Sequence, residues 1–219
     1  MLRTMTRGFS HAAMLAAAIL LLASAAPLRP DDTVFEKARA KGWDALQARV
    51  KDAPHRNHAL AVEAMMRSMA SPADNADEWA LAGLLHDIDI NDTAGDMARH
   101  GLAGGQILHD LGFSDTIVHA VRAHDNRAGV SRTSRLDHAL YCADQLYWLM
   151  RDAGAAFPSA GIASATGEAL WSRVRQLPGK SGLVEKVSAE CAQIGLTMPQ
   201  ALDAALTGMR SATPVTDPR

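Results

Sequence analysis

Eight of the nine histidines in this 219-residue chain fall between residues 55 and 138. Within that window the stretch LAGLLHDIDI (81–90) places His86 and Asp87 side by side directly after an apolar run. If the helical periodicity of EWALAGLLHDI continues through them, the two side chains stand about 100° apart and can lean toward one point beside the helix. Such a pair offers an imidazole nitrogen and a carboxylate to a shared ion, but two ligands from one helix cannot hold a catalytic metal. The rest must come from neighbouring helices. His58 opens the segment HALAVEAMMRSMA just after Pro54, and Asp144 interrupts the apolar run ALYCADQLYWLM, where an unpaired buried carboxylate would be costly. His58, His86, Asp87 and Asp144 together supply two nitrogen and two oxygen donors, a set suited to a divalent first-row metal rather than to thiolate chemistry.

The segments that must position these residues read as helices. VFEKARAKGWDALQARVKD, HALAVEAMMRSMA, EWALAGLLHDI, ARHGLAGGQILHDLG, SDTIVHAVRAHD and RLDHALYCADQLYWLMRDAG carry apolar residues at helical spacing. Asp74, Asn75 or Asp77, and then Ser114 with Asp115, are suited to cap the helices that follow them, and Gly112 to end one. From Ser164 to Met209 two or three shorter helices follow, and no stretch shows the sustained alternation of a strand. The expected fold is all-α, a single domain over residues 33–211 with a disordered tail at 212–219.

Residues 1–32 stand apart. MLRTMTRGF carries two arginines and no acid, AAMLAAAILLL is unbroken apolar, and small residues at Ala23 and Ala25 precede a polar stretch. This is the layout of a signal peptide cut after Ala25, which would place the protein in the periplasm or outside the cell. The rival readings are an uncleaved anchor, giving a membrane association, or a misplaced start codon, giving a cytoplasmic protein. A formal charge of −2 argues against a basic nucleic-acid groove. The two cysteines, Cys142 and Cys191, each in an apolar helical stretch, read as packing thiols rather than a disulfide framework.

The order of a lone histidine, an adjacent His-Asp and a distant aspartate resembles the HD superfamily of metal-dependent phosphohydrolases. HALAVEAMMRSMA, LAGLLHDIDI, RHGLAGGQIL and RLDHALYCAD are similar to consecutive blocks of the small bacterial HDIG-type proteins, closely over residues 43–151 and more loosely to 209. The resemblance implies a helical bundle, a metal held by His58, His86, Asp87 and Asp144, and hydrolysis of a phosphate ester or anhydride with Asp87 central to catalysis. His100 and His124 stand where dinuclear members, including symmetrical diadenosine-tetraphosphate hydrolases, carry histidines for a second metal. One or two ions of manganese, iron or zinc are therefore expected, with Asp87 bridging if there are two. Arg127, Arg132 and Arg135 follow His124 in a loop and could meet phosphate oxygens through their planar donors. Asp89 and Asp92 could assist proton transfer. The expected partner is a small phosphorylated metabolite, a nucleotide among the options, and the oligomeric state is left open. The alternative is a non-catalytic HD module that senses a nucleotide or a partner protein. FPSAGIASATGEALWSRVRQLPGKSG departs from the family's pattern, which leaves the substrate-side wall undefined.

Overall fold

In the computed structural model the described residues are 30–216, so the leader reading at 1–29 lies outside them. They form helices α1 (Pro30–Arg49), α2 (Ala53–Met69), α3 (Ala76–Leu85), α4 (Leu102–Asp110), α5 (Asp115–Ala123), α6 (Arg135–Asp152), α7 (Gly161–Ser164), α8 (Gly167–Val174), α9 (Ser181–Gln193) and α10 (Met198–Ser211). A 3₁₀ turn at Asn126–Ala128 joins α5 to the loop before α6. No strand occurs among the described residues, and no helix there is long and apolar enough to cross a membrane. α1 begins at Pro30, slightly earlier than the boundary drawn from the leader.

α2 and α3 form the centre. α3 is apolar all round, and Ala80, Ala82, Leu84 and Leu85 are fully buried, as a helix surrounded by others must be. It packs on α1, α2, α5 and α6, while α2 also meets α6 and α10. The α2–α3 approach is close: a Cβ at Gly83 would sit 2.7 Å from the Val62 carbonyl oxygen. Met65, Met66, Leu84, Leu85, Leu140, Leu146 and Leu149 are fully buried, and each contributes roughly 1.5–3 kcal/mol. That apolar surplus is what lets the same interior hold a cluster of histidines and aspartates.

Capping chemistry fixes where the helices start. Asn75 accepts from the amides of Asp77 and Glu78, Ser114 from Ile117, and Ser134 and Asp137 form a reciprocal capping box at α6. Pro54 lies in the first turn of α2 rather than before it, where its missing N–H costs nothing.

Three expectations are corrected. α3 stops at Leu85, so His86 is its C-cap and Asp87 belongs to the turn beyond; the pair is not on a continuing helix. The His86 imidazole Nδ1 lies 2.8 Å from the Gly83 carbonyl oxygen, taking up the acceptor that a further helical turn would have used. Cys142 and Cys191 are not free thiols: they form a disulfide that ties α6 to α9, with Cα atoms 5.3 Å apart. A crosslink closing a loop between residues 49 apart stabilises by about 2–4 kcal/mol. The stretch 212–216, expected to be disordered, is held in place: Asn57 Nδ2 donates to the Val215 carbonyl oxygen at 2.9 Å and its Oδ1 accepts from the Val215 amide at 2.8 Å.

Candidate metal centre

Five helices, α2 to α6, bring six donors together in their bodies or at their ends. His58 projects from the first turns of α2 and is 1% exposed. His86 and Asp87 follow the end of α3, His100 precedes α4, His124 caps the end of α5, and Asp144 lies in the middle of α6. His86, Asp87, His100, His124 and Asp144 are all buried.

The imidazoles face one another in two pairs. His58 Nε2 and His86 Nε2 are 3.0 Å apart, and His100 Nε2 and His124 Nε2 are 3.1 Å apart. Asp87 lies between the pairs. Its Oδ2 is 3.4 Å from His86 Nε2 and 3.5 Å from His58 Nε2, while its Oδ1 is 3.0 Å from His100 Nε2 and 3.6 Å from His124 Nε2. Asp144 Oδ1 lies closest to the first pair, 3.1 Å from His58 Nε2 and 3.7 Å from His86 Nε2. Trp148 Nε1 and Gln145 Nε2 donate to Asp144 at 3.2 and 2.7 Å and orient its carboxylate.

The outer nitrogens show what the inner ones are for. His86 Nδ1 faces the Gly83 carbonyl, and His124 Nδ1 faces the Val121 carbonyl at 2.6 Å: the same device at the ends of two helices. His100 Nδ1 lies 2.9 Å from Asp89 Oδ1. An acceptor at Nδ1 places the proton there, which in the neutral ring leaves the Nε2 lone pair directed into the cluster. Two such lone pairs at about 3 Å repel unless a proton or a cation lies between them. The donor set therefore fits a first-row divalent ion, and the donors fall into groups whose ligand atoms lie within 4.8 Å of one another: His58, His86 and Asp87; His86, His124 and Asp144; Asp87, His100 and His124.

Protons stand in for that charge in the metal-free protein. Burial alone would raise the Asp87 and Asp144 carboxyls, but His86 beside Asp87, and His58 and His86 beside Asp144, more than offset it and hold both well below the usual carboxylate range. Burial would lower His86 and His100, yet Asp87 and Asp144 push His86 well up, and Asp87 with Asp89 hold His100 at about 9. His100 thus carries a proton at pH 7 and must release one to act as a ligand. Metal uptake at pH 7 is expected to expel protons, and affinity to rise as the pH is raised toward 9. Calorimetry of metal binding in two buffers of different ionisation enthalpy checks this, and identical heats in both would contradict it.

Asp89 plays a part that sequence reading left unresolved. It is fully buried, and its Oδ2 accepts from the amides of Gly101 at 3.0 Å and Gly104 at 2.8 Å while Oδ1 faces His100. It anchors the start of α4 and orients His100 rather than moving protons at the surface. Gly101 has φ +77°, and a Cβ there would lie 2.7 Å from the Val121 carbonyl oxygen, so only glycine allows His100 to meet His124. Asp92 is spent on Arg49, at 2.7 Å.

The three arginines separate. Arg127 lines a cavity of about 150 Å³ over the cluster, together with Asp87, His100, His124 and Asp144. It is braced by Asp125, whose carboxylate accepts from Arg127 Nε at 2.9 Å. The structure does not bring Arg132 and Arg135 there. Arg132 pairs with Glu190 at 2.8 Å and stacks on Tyr141, and Arg135 pairs with Asp74 at 3.0 Å. Their guanidinium groups hold helices together instead of facing the cavity. His55 also lines the cavity, with its Nδ1 held 2.7 Å from Asp52 Oδ1. His109 is exposed, His119 pairs with Asp137 and His138 with Glu190, all outside the cluster.

A helical bundle that turns paired histidines and two carboxylates inward defines a class of metal-binding α proteins. Residues 56–149 match the family model described as HD domain, so this part of the chain is similar to HD-superfamily proteins. No curated protein and no solved structure matches it.

Proposed function

We propose that the protein is a phosphohydrolase acting on a small phosphorylated compound, with a two-ion centre held by His58, His86, Asp87, Asp144, His100 and His124. The observation that carries this reading is the position of Asp87, one oxygen toward each histidine pair, as a carboxylate shared by two ions requires. Bound divalent ions lower the pKa of water and offset charge on phosphoryl oxygens. The chain's own groups do the rest. Arg127 presents its guanidinium to the phosphoryl oxygens from the open side of the cavity. His55, fixed by Asp52 through Nδ1, is placed to give a proton to the departing oxygen. The small chamber, walled in part by Ile90, Met97 and Trp148, limits water around the reacting group.

The test is an assay of full-length protein with manganese, iron or zinc against phosphate monoesters, nucleotides and dinucleoside polyphosphates. Metal-dependent phosphate release that disappears with chelator is expected, and inertness toward the whole panel with metal bound would reject the reading.

An exported location is part of the same proposal. The disulfide between Cys142 and Cys191 supports it, because such bonds persist in oxidising compartments, and it agrees with the signal-like leader. A fusion of residues 1–32 to an export-dependent reporter should be active, with the mature chain starting at Ala26. An inactive reporter with a full-length cytoplasmic product would return the protein to the cytoplasm.

A further inference from the structure

The chamber over the metal cluster is too small for a whole metabolite. Its volume of about 150 Å³ falls below the roughly 300–1,000 Å³ of sites that enclose a small molecule. A second cavity of about 600 Å³ adjoins it and shares two of its walls, His55 and Trp148. This larger chamber is lined by Tyr147, Trp148, Phe157, Pro158, Val215 and Arg151, and is mostly apolar.

Trp148 couples the two. Its indole N–H is bound to the metal-facing Asp144 Oδ1 at 3.2 Å, so the ring is oriented by the cluster itself. The ring lies against His58 with centroids 4.8 Å apart and meets Tyr147 edge-on at 5.1 Å. The Arg151 guanidinium lies 4.4 Å from its centroid. Across the cavity, Phe157 comes from the FPSAGIASATG segment that departs from the family's pattern, and Val215 from the stretch pinned by Asn57.

We infer that this second chamber receives the leaving group of the substrate, and that it selects a flat, apolar ring attached to the phosphate. The ester bond would then cross the boundary marked by His55 and Trp148, which is where a proton donor to the leaving oxygen has to stand. Aromatic walls and a stacked guanidinium favour a planar π-system over a sugar or a glycerol unit, whose hydroxyls would find few partners there. The inference rests on the phosphohydrolase reading for the position of the phosphate but names a different set of residues.

The test compares two ligands that share a phosphorus head and cannot be hydrolysed, 1-naphthylmethylphosphonate and methylphosphonate, titrated into manganese-loaded full-length protein. The naphthyl ligand is expected to bind at least about tenfold more tightly. Phe157→Ala, which hollows the chamber, and Thr216→Trp, which fills it from its exposed rim, should each remove that advantage while leaving methylphosphonate binding and metal content unchanged. Equal affinities in the wild type, or an advantage that survives both variants, would overturn the inference. Hydrolysis of 1-naphthyl phosphate and glycerol 3-phosphate is followed in parallel. A ring preference without any hydrolysis would reject the phosphohydrolase reading and keep the subsite, whereas hydrolysis without a ring preference would do the reverse.

Discussion

Asp87→Ala is expected to yield protein that has lost both metal and activity. Asp87 faces both histidine pairs, Oδ2 toward one and Oδ1 toward the other, so its removal would take a ligand from each proposed ion at once. It also leaves four imidazoles around a buried space with only Asp144 and Asp89 as compensating negative charge. Repulsion among them opposes a cation in either position, and affinity should fall by more than about a hundredfold. Asp87→Asn keeps the volume and should fail equally, which separates lost charge from lost packing. Metal content by mass spectrometry after gel filtration is the readout. His109→Ala is the control, because its side chain is 62% exposed and far from the cluster in function and contact. Stoichiometric metal in purified Asp87→Ala protein would remove this residue from the centre.

A second large effect separates a one-ion from a two-ion centre. His100 and His124 lie closest to Asp87 Oδ1, whereas His58 and His86 lie closest to Asp144 Oδ1 and Asp87 Oδ2. His100→Ala and His124→Ala should therefore keep the first group of donors intact, retain about one ion per chain, and lose activity by roughly a hundredfold or more. Metal titration and steady-state rates decide the matter. Wild-type protein that saturates with a single ion, together with variants that turn over as fast as it does, would return both histidines to a structural role in joining α4 to α5.

Asp144 and the His86-Asp87 pair stood out because they are out of place by ordinary burial rules, whereas His100 and His124 came into view only through the resemblance. Asp144 in the middle of ALYCADQLYWLM asks for a partner, and His86-Asp87 closes an apolar run that otherwise reads as core. The all-helical architecture was legible from periodicity and caps. What sequence could not carry was anything set by contacts distant along the chain. The helical pattern runs through LLHDI without a break, yet α3 ends at Leu85, where the His86 ring faces the Gly83 carbonyl on one side and His58 on the other. Arg132 and Arg135 share a loop with Arg127, but their partners Glu190 and Asp74 lie on other elements. Cys142 and Cys191 carry no spacing signature, and only the packing of α9 on α6 brings them together. Asp89 looked like one more loop acid because the amides it holds, Gly101 and Gly104, belong to the next helix.

The donors that would hold one ion begin at residue 58 and end at residue 144, on helices that pack against one another only in the assembled bundle. No single loop or hairpin of the chain contains a complete site. The donor set is therefore complete only once these long-range contacts are in place. The effect of an ion there is thermodynamic: whatever free energy the ion gains on binding is drawn from the assembled state alone and stabilises the packing of α2, α3, α5 and α6 as a unit. With the centre loaded as proposed, the supply of metal would bear on how long the fold survives as well as on activity.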